Sequence, residues 1–296
     1  MNLILAHKIA LDPNEAQRSY FSQAAGTARF AWNWALAEWQ RQYKAGEKPN
    51  EVALRRQLNA VKREQFPWML EVSKTAPQQA IKNLGGAFKR FFDHTAKYPR
   101  FRKKGVHDSF RADNGADTVT FDGKRIRLPV IGWIRMREPL RFLGKLKSVT
   151  VSRVADRWFA SVTVEIEHRV PVRENQATVG VDLGVSTLAT FSNGEKVEGP
   201  RALRRSLKRL KRLSRSMSRK GKGSANRRKA AAKLARLHKR ISDIRQDTLH
   251  KLTTDICRRF SAIGIEDLNV KGMLRNGQLA LPIADCGFSE FRRQIE

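Results

Sequence analysis

Residues 2–11 alternate between apolar and polar side chains, with Leu3, Leu5, Ile9 and Leu11 on one face and Asn2 and Lys8 among those on the other. That period of two predicts a strand. His7 interrupts the apolar face and reads as a partly exposed strand histidine rather than a catalytic one. The period then lengthens. Phe21, Ala25, Ala28, Trp32, Ala35, Leu36 and Trp39 recur at helical spacing and predict one helix through Tyr43, ended by Lys44-Ala45-Gly46. Asp12 reads as its N-cap, Pro13 as a first-turn residue and Glu15 as the partner in a capping box. Trp32, Trp34 and Trp39 have rings able to stack on bases, but their helical spacing marks them as core. Residues 51–66 and 76–95 predict two more helices, with Pro67 and Pro77 breaking the chain between them. The second carries Ile81, Leu84, Phe88, Phe91 and Phe92.

From 106 to 170 the period returns to two. Thr118–Phe121 and Arg125–Val130 flank Asp122-Gly123, a hairpin signal, and Ile131–Arg137 is a further strand. Ser148–Val154 and Trp158–Glu167 form a second hairpin across Ala155-Asp156, with Trp158, Ala160, Val162, Val164 and Ile166 on one face. Short strands at this spacing predict a small barrel, which the first strand completes. The helices of residues 12–105 are then an insertion in a barrel built from 1–11 and 106–172.

Residues 173–296 form the remaining domain. Thr178–Val185 alternates with Val179, Val181 and Leu183 on one face and Asp182 on the other, between Gly180 and Gly184. Thr187–Ser192 turns at Asn193-Gly194 into a strand near Lys196-Val197. Two helical stretches follow within 201–258. Leu203, Leu207, Leu210, Leu213 and Met217 mark the first, and Leu234, Leu237, Ile241, Ile244, Leu249, Leu252 and Ile256 the second, with Gly221-Lys222-Gly223-Ser224 between them. The strand Ala262–Ile265 then leads into Glu266, and a short helix closes the chain.

Charge says more about partners than hydrophobic content does. The hydrophobic fraction of 41% is ordinary, but 59 Lys and Arg against 28 Asp and Glu give a net charge of +31. Such an excess marks a partner that is a polyanion, nucleic acid before a membrane surface. No long apolar run, signal peptide or lipidation motif is legible, so a soluble intracellular protein is expected. The basic residues cluster: 201–245 hold 19 Lys or Arg and one acid, Asp243. Arg204, Arg205, Lys208 and Arg212 on the first helix, and Arg227, Arg228, Lys229, Arg236, Lys239 and Arg240 on the second, are candidate phosphate contacts. Arg100, Arg102, Lys103 and Lys104 lie in an extended basic and aromatic linker, which either follows a phosphate backbone or is a solvated loop. Cys257 and Cys286 are far apart and form no C-x-x-C pair, so neither a disulfide framework nor a zinc site is expected within the chain.

Asp182 and Glu266 stand out as possible reactive groups. Each sits on the small-residue face of an apolar strand, beside Gly180 and Gly264. If the strands are neighbours the acids converge, and converging hard oxygen donors suit Mg²⁺ or Mn²⁺. On pattern alone the same acids also fit satisfied turn residues.

The blocks Gly180-Val181-Asp182-Leu183-Gly184-Val185, Asn226-Arg227-Arg228-Lys229, Leu234-Ala235-Arg236-Leu237-His238 and Ile265-Glu266-Asp267-Leu268-Asn269-Val270-Lys271-Gly272-Met273 closely resemble the TnpB (OrfB) family. Arg29-Phe30-Ala31-Trp32-Asn33-Trp34 and Phe291-Arg292-Arg293-Gln294 extend the resemblance to nearly the whole chain. It implies a prokaryotic, cytoplasmic, insertion-sequence-encoded protein of the transposase type. The fold implied is α+β and multidomain: a wedge-type β-barrel with a helical recognition insertion, then an RNase H-like (RuvC-like) domain. The activity implied is RNA-guided, Mg²⁺-dependent DNA cleavage, with guide RNA from the transposon end and target DNA as partners and no membrane. Asp182 and Glu266 would be catalytic and metal-binding, and Asp267, facing the apolar side, structural. The family's third carboxylate lies in an Asp-Arg-Asp-x-Asn-like motif after a four-cysteine zinc ribbon, beyond Glu296. Asp285 and Glu290, in the preceding helix, are not replacements. The resemblance therefore implies an incomplete nuclease domain that cuts poorly, or a nuclease-dead RNA-guided DNA-binding protein. A non-guided basic RNA-binding protein fits the charge but leaves the two acidic strands without a role.

Overall fold

Hydrogen-bonded pairing in the first half of the chain centres on the opening strand. The computed structural model describes residues 2–113, 118–167 and 177–296 and divides the chain into two units, Met1–Arg169 and Val170–Glu296. In the first, β1 (Asn2–Asp12) pairs antiparallel with β7 (Arg157–Glu167), from Asn2↔Glu167 to Ala10↔Phe159. Its last residues, Leu11 and Asp12, pair with β5 (Gly132–Met136). With β2 (Ser109–Asp113), β3 (Thr120–Asp122), β4 (Arg125–Leu128) and β6 (Lys145–Val154), they form a seven-stranded sheet in the order β2-β6-β7-β1-β5-β4-β3. Among the described residues no pairing joins β2 to β3. Trp158, Ala160, Val162 and Val164 of β7 are buried, as their alternation predicts. The strand β2 is not legible as a separate strand in the sequence; it forms because Phe110 and Ala112 complete the apolar face over β6.

Three helices stand between β1 and β2: α1 (Glu15–Lys44), α2 (Glu51–Gln65) and α3 (Thr75–Phe92). The apolar stripe of α1 is buried from Phe21 to Leu36, with Phe21, Ala35 and Leu36 fully so, and Trp39 is partly buried. Its start differs from the sequence reading. Asn14, not Asp12, is the N-cap, and Gln17, not Glu15, returns the second bond of the capping box. Asp12 stays in β1 and pairs with Arg137. Pro67 opens a 3₁₀ turn (Pro67–Glu71), and Pro77 lies inside the first turn of α3 rather than between helices. His7 is buried, not partly exposed; the Arg141 amide donates to its Nδ1 at 3.3 Å, and burial, with Arg141 beside it, lowers its pKa.

In the second unit, β8 (Thr178–Asp182), β9 (Ala189–Phe191), β10 (Lys196–Val197) and β11 (Ala262–Ile265) form a sheet ordered β10-β9-β8-β11. β11 runs parallel to β8; the other pairings are antiparallel. The helices are α4 (Ala202–Ser218), α5 (Ala225–Arg259), α6 (Val270–Met273), α7 (Ala280–Cys286) and α8 (Phe288–Ile295). Asp285 and Glu290 thus lie on two helices, not one, because Gly287 between them takes a left-handed φ of 78°. Val179, Val181, Leu188 and Phe191 of the sheet region pack with Leu249, Leu252 and Ile256 of α5 and Phe288 and Phe291 of α8. The sheet therefore has one covered face. Thr178, Gly180, Asp182, Ala262, Gly264 and Glu266 are exposed on the other.

Candidate carboxylate pair and nucleic-acid interface

The parallel register between β8 and β11 decides where the two acids stand. Gly264 pairs with Gly180 and Ile265 with Val181, so the next step along both strands sets Glu266 beside Asp182. Strands in a sheet lie about 4.8 Å apart, so the two acids follow directly after neighbouring residues of adjacent strands. Both acids are exposed on this face. The glycines keep the face low: a Cβ at Gly264 would only touch the Val179 carbonyl at 3.9 Å, and one at Gly180 would touch the Ser192 side chain at 3.6 Å, both ordinary contacts. Gly184 is required for another reason. A Cβ there would stand 2.8 Å from the Thr187 carbonyl, so only glycine allows the loop after Asp182 to fold back.

Asp267 does not face the apolar side. Its side chain is 86% exposed and ion-paired with Arg292, which also reaches Glu296 at 2.6 Å. Arg292 and Lys271 line a cavity of about 280 Å³ beside Glu266. Asp285 is 4% exposed and accepts from the amides of Leu203 (2.8 Å) and Arg204 (2.9 Å). It caps α4 from a distant helix, since Arg201 at the helix's own N-cap position makes no side-chain capping bond. Glu290 is held by Arg293 and Gln294, and those bonds lower its pKa to about 2. Among the described residues no group of three or more His, Cys, Asp or Glu side chains comes together. Two carboxylates on an open face fit a divalent cation of the Mg²⁺ type, which keeps several waters and takes few protein ligands.

The basic candidates separate by environment. Arg204, Arg205, Lys208 and Arg212 are exposed on α4. Lys211, Arg215 and Arg219, which were not singled out from the sequence, join Lys208 and Arg212 around an open concavity of about 620 Å³. The spacing 208, 212, 215, 219 is one helical face, a signal the sequence did hold. None of these cations has an ion-pair partner among the described residues. On α5, Arg228, Lys229, Arg236 and Arg240 are exposed, while Arg227 donates to the carbonyls of Met217 (3.2 Å) and Lys220 (2.9 Å) and closes the hairpin. Lys239 pairs with Asp243 at 2.7 Å.

The linker is pinned to α1 through its backbone, although most of its side chains are exposed. Trp32 Nε1 donates to the Arg100 carbonyl at 2.9 Å, and Asn33 exchanges two bonds with the Arg102 backbone at 2.7 and 3.0 Å. The Arg102 guanidinium lies 3.7 Å over the Trp32 ring, and burial lowers its pKa. Arg102 thus fastens the strap to α1, while Arg100, Lys103 and Lys104 remain exposed. Trp32 is core, as its spacing predicts.

An α+β chain with an acid-free basic helix and a carboxylate pair on an open sheet face is equipped to hold nucleic acid. Residues 161–277 match the OrfB model described as "Probable transposase", and residues 1–48 match one described as "Helix-turn-helix domain". The latter span holds a strand and a single 30-residue helix in this protein. The Escherichia coli protein "Putative RNA-guided DNA endonuclease InsQ" is 35% identical over 312 residues, covering 100% of this chain and 77% of its own length. The Streptomyces pristinaespiralis protein "Putative RNA-guided DNA endonuclease" is 37% identical over 305 residues, 98% of this chain and 73% of that one. The chain belongs to the OrfB (TnpB) family. In fold it is similar to the Cas12f1 protein of a Cas12f1–sgRNA–target DNA complex, with a TM-score of 0.51 at 13% identity over 95% of this chain and 71% of that one.

Proposed function

We propose that the chain is an RNA-guided DNA-binding protein whose second unit is a RuvC-like, divalent-metal-dependent DNA nuclease domain. The observation that supports this reading is the parallel pairing of β8 with β11, which reaches Val181↔Ile265, one residue before Asp182 and Glu266, both of them exposed. In this reading Asp182 and Glu266 hold the cation, Mg²⁺ or Mn²⁺, and the flanking glycines admit a phosphodiester to it. The metal, when bound, supplies water activation and stabilises the leaving oxygen. The cations of α4 bind phosphates. The seven-stranded sheet serves as the wedge-type barrel, residues 12–105 as the recognition insertion, and the RNA is one transcribed from the transposon end.

A second reading, guided binding without cutting, is favoured by one observation: no third acid joins the pair among the described residues. Hydrolysis by two metals needs ligands on both sides of the ion pair. The experiment is a plasmid-cleavage time course with guide RNA, Mg²⁺ and a matched target. The 296-residue chain is expected to bind target and cut it very poorly. A fusion to the C-terminal segment of a close relative should cut, and Asp182→Ala in that fusion should not. Rapid cutting by the unextended chain would overturn the two-ligand account. Sequencing the RNA that co-purifies separates both readings from a non-guided RNA-binding protein, which would carry RNA of no single origin.

A further inference from the structure

The strap after α3 carries a feature that phosphate binding does not use. Phe101 is a large apolar side chain left 52% exposed, with no ring partner among the described residues. Its neighbours are not loose. Arg100 and Arg102 on either side are fixed through their backbones by Trp32 and Asn33, and Tyr98 packs edge-on against Phe88 and Phe91 at 5.5 and 5.2 Å. An exposed aromatic ring on a backbone held on both sides has already given up backbone freedom that binding would otherwise cost. Around it, Arg100, Lys103 and Lys104 are exposed and make no ion pair among the described residues.

We propose that Phe101 is a stacking platform for one unpaired base of a single-stranded nucleic acid, with Arg100, Lys103 and Lys104 holding the phosphates on either side. The chemistry is that of single-strand binding: a π-face for the base and cations for the backbone. A duplex fits less well, because its base faces are already stacked on each other and only its phosphates would meet the strap. The strand is either an unpaired stretch of the RNA or a displaced strand of DNA, and a ring face accepts both. This inference rests on the nucleic-acid reading above and adds to it a site and a class of ligand.

The test measures binding of the full chain to labelled ten-nucleotide oligo-U, ten-nucleotide oligo-dT and a duplex, across a salt series. Phe101→Ala should weaken binding to both single strands by about five- to a hundredfold, the range for removing one stacked base. It should leave duplex binding within a factor of about two and the salt slope unchanged. Phe101→Trp should restore binding. Lys103→Ala with Lys104→Ala should instead lower the single-strand slope by about 0.7 for each phosphate left without its cation. Tighter binding of oligo-U assigns the site to the RNA, and tighter binding of oligo-dT to the displaced strand. Equal weakening on single strand and duplex, or no weakening in Phe101→Ala, would overturn the proposal. If Phe101→Ala is silent while neutralising α4 abolishes binding, the platform fails and the broader reading stands. If the unaltered chain binds no oligonucleotide at low salt, both fail.

Discussion

Helices α4 and α5 come from one basic stretch and meet opposite fates. α4 has cations at almost every exposed position, no acid on its length, and only Ala202 fully buried. α5 buries Leu249, Leu252 and Ile256 against the sheet and offsets its charges with Asp243, Asp247 and Asp255 at i,i+4 spacing. The acids of α5, absent from α4, leave the two helices with different surfaces. An exposed, paired Lys contributes little to either stability or binding, whereas an unpaired row repels itself until a polyanion arrives.

The most severe test of this contrast neutralises α4. Lys208, Arg212, Arg215 and Arg219 changed together to Ala should cut nucleic-acid affinity on the order of a hundredfold or more and lower the salt slope by about three. Lys239→Ala with Lys251→Ala on α5 should change affinity by less than about threefold, since each already faces a carboxylate. Comparable losses from both would erase the distinction. Anisotropy titrations at several salt concentrations decide it.

Asp285→Ala tests how α4 is held. It removes a buried acceptor of two helix-start amides, so urea unfolding should show a loss of about 2 kcal/mol, with Asp285→Asn partly restoring it. A neutral Asp285→Ala would show that α4 docks without its distant cap.

The α5 side has its own handle, on α8. Glu290 has its pKa lowered to about 2, chiefly by hydrogen bonds from Arg293 and then from Gln294, whose Oε1 accepts from Thr253 of α5 at 2.9 Å. A depressed carboxylate lends stability that is complete above the unfolded value of about 4.3 and is lost as pH falls toward about 2. Its side chain is about one-third exposed, so solvent screening reduces this to about 1 kcal/mol. Glu290→Gln should flatten unfolding free energy against pH in that window.

The candidate catalytic pair should respond least. Asp182→Ala and Glu266→Ala should shift stability by less than about 0.5 kcal/mol, because both side chains are exposed and hold nothing together. Metal-free binding should stay level or tighten slightly, since two negative charges leave the phosphate path. Unfolding of either variant would make these acids structural rather than catalytic.

Apolar periodicity was enough to place most elements. Period two located the hairpins of β3–β4 and β6–β7, and period 3.6 located α1, α4 and α5, because each buries a face along its length. Caps were harder. Asp12 and Asn14 are both good cap residues, and only the extent of β1 decides that the helix starts after Asn14. His7 looked half-exposed because its burial comes from residues more than 130 positions away.

Local features were legible in the residues themselves: the strand faces of Asp182 and Glu266, the unbroken charge of α4, and the family. Pairing between distant residues was not, and it emerged only once the chain was folded. The parallel register of β8 and β11 pairs Val181 with Ile265, the residues just before two acids 84 positions apart. The reach of Asp285 back to α4, and of Trp32 and Asn33 to the strap, turns a nominal acid and a nominal linker into fixed parts. Periodicity reports which side of an element is apolar, while the partner of an exposed polar group is set by chain geometry that no local pattern records.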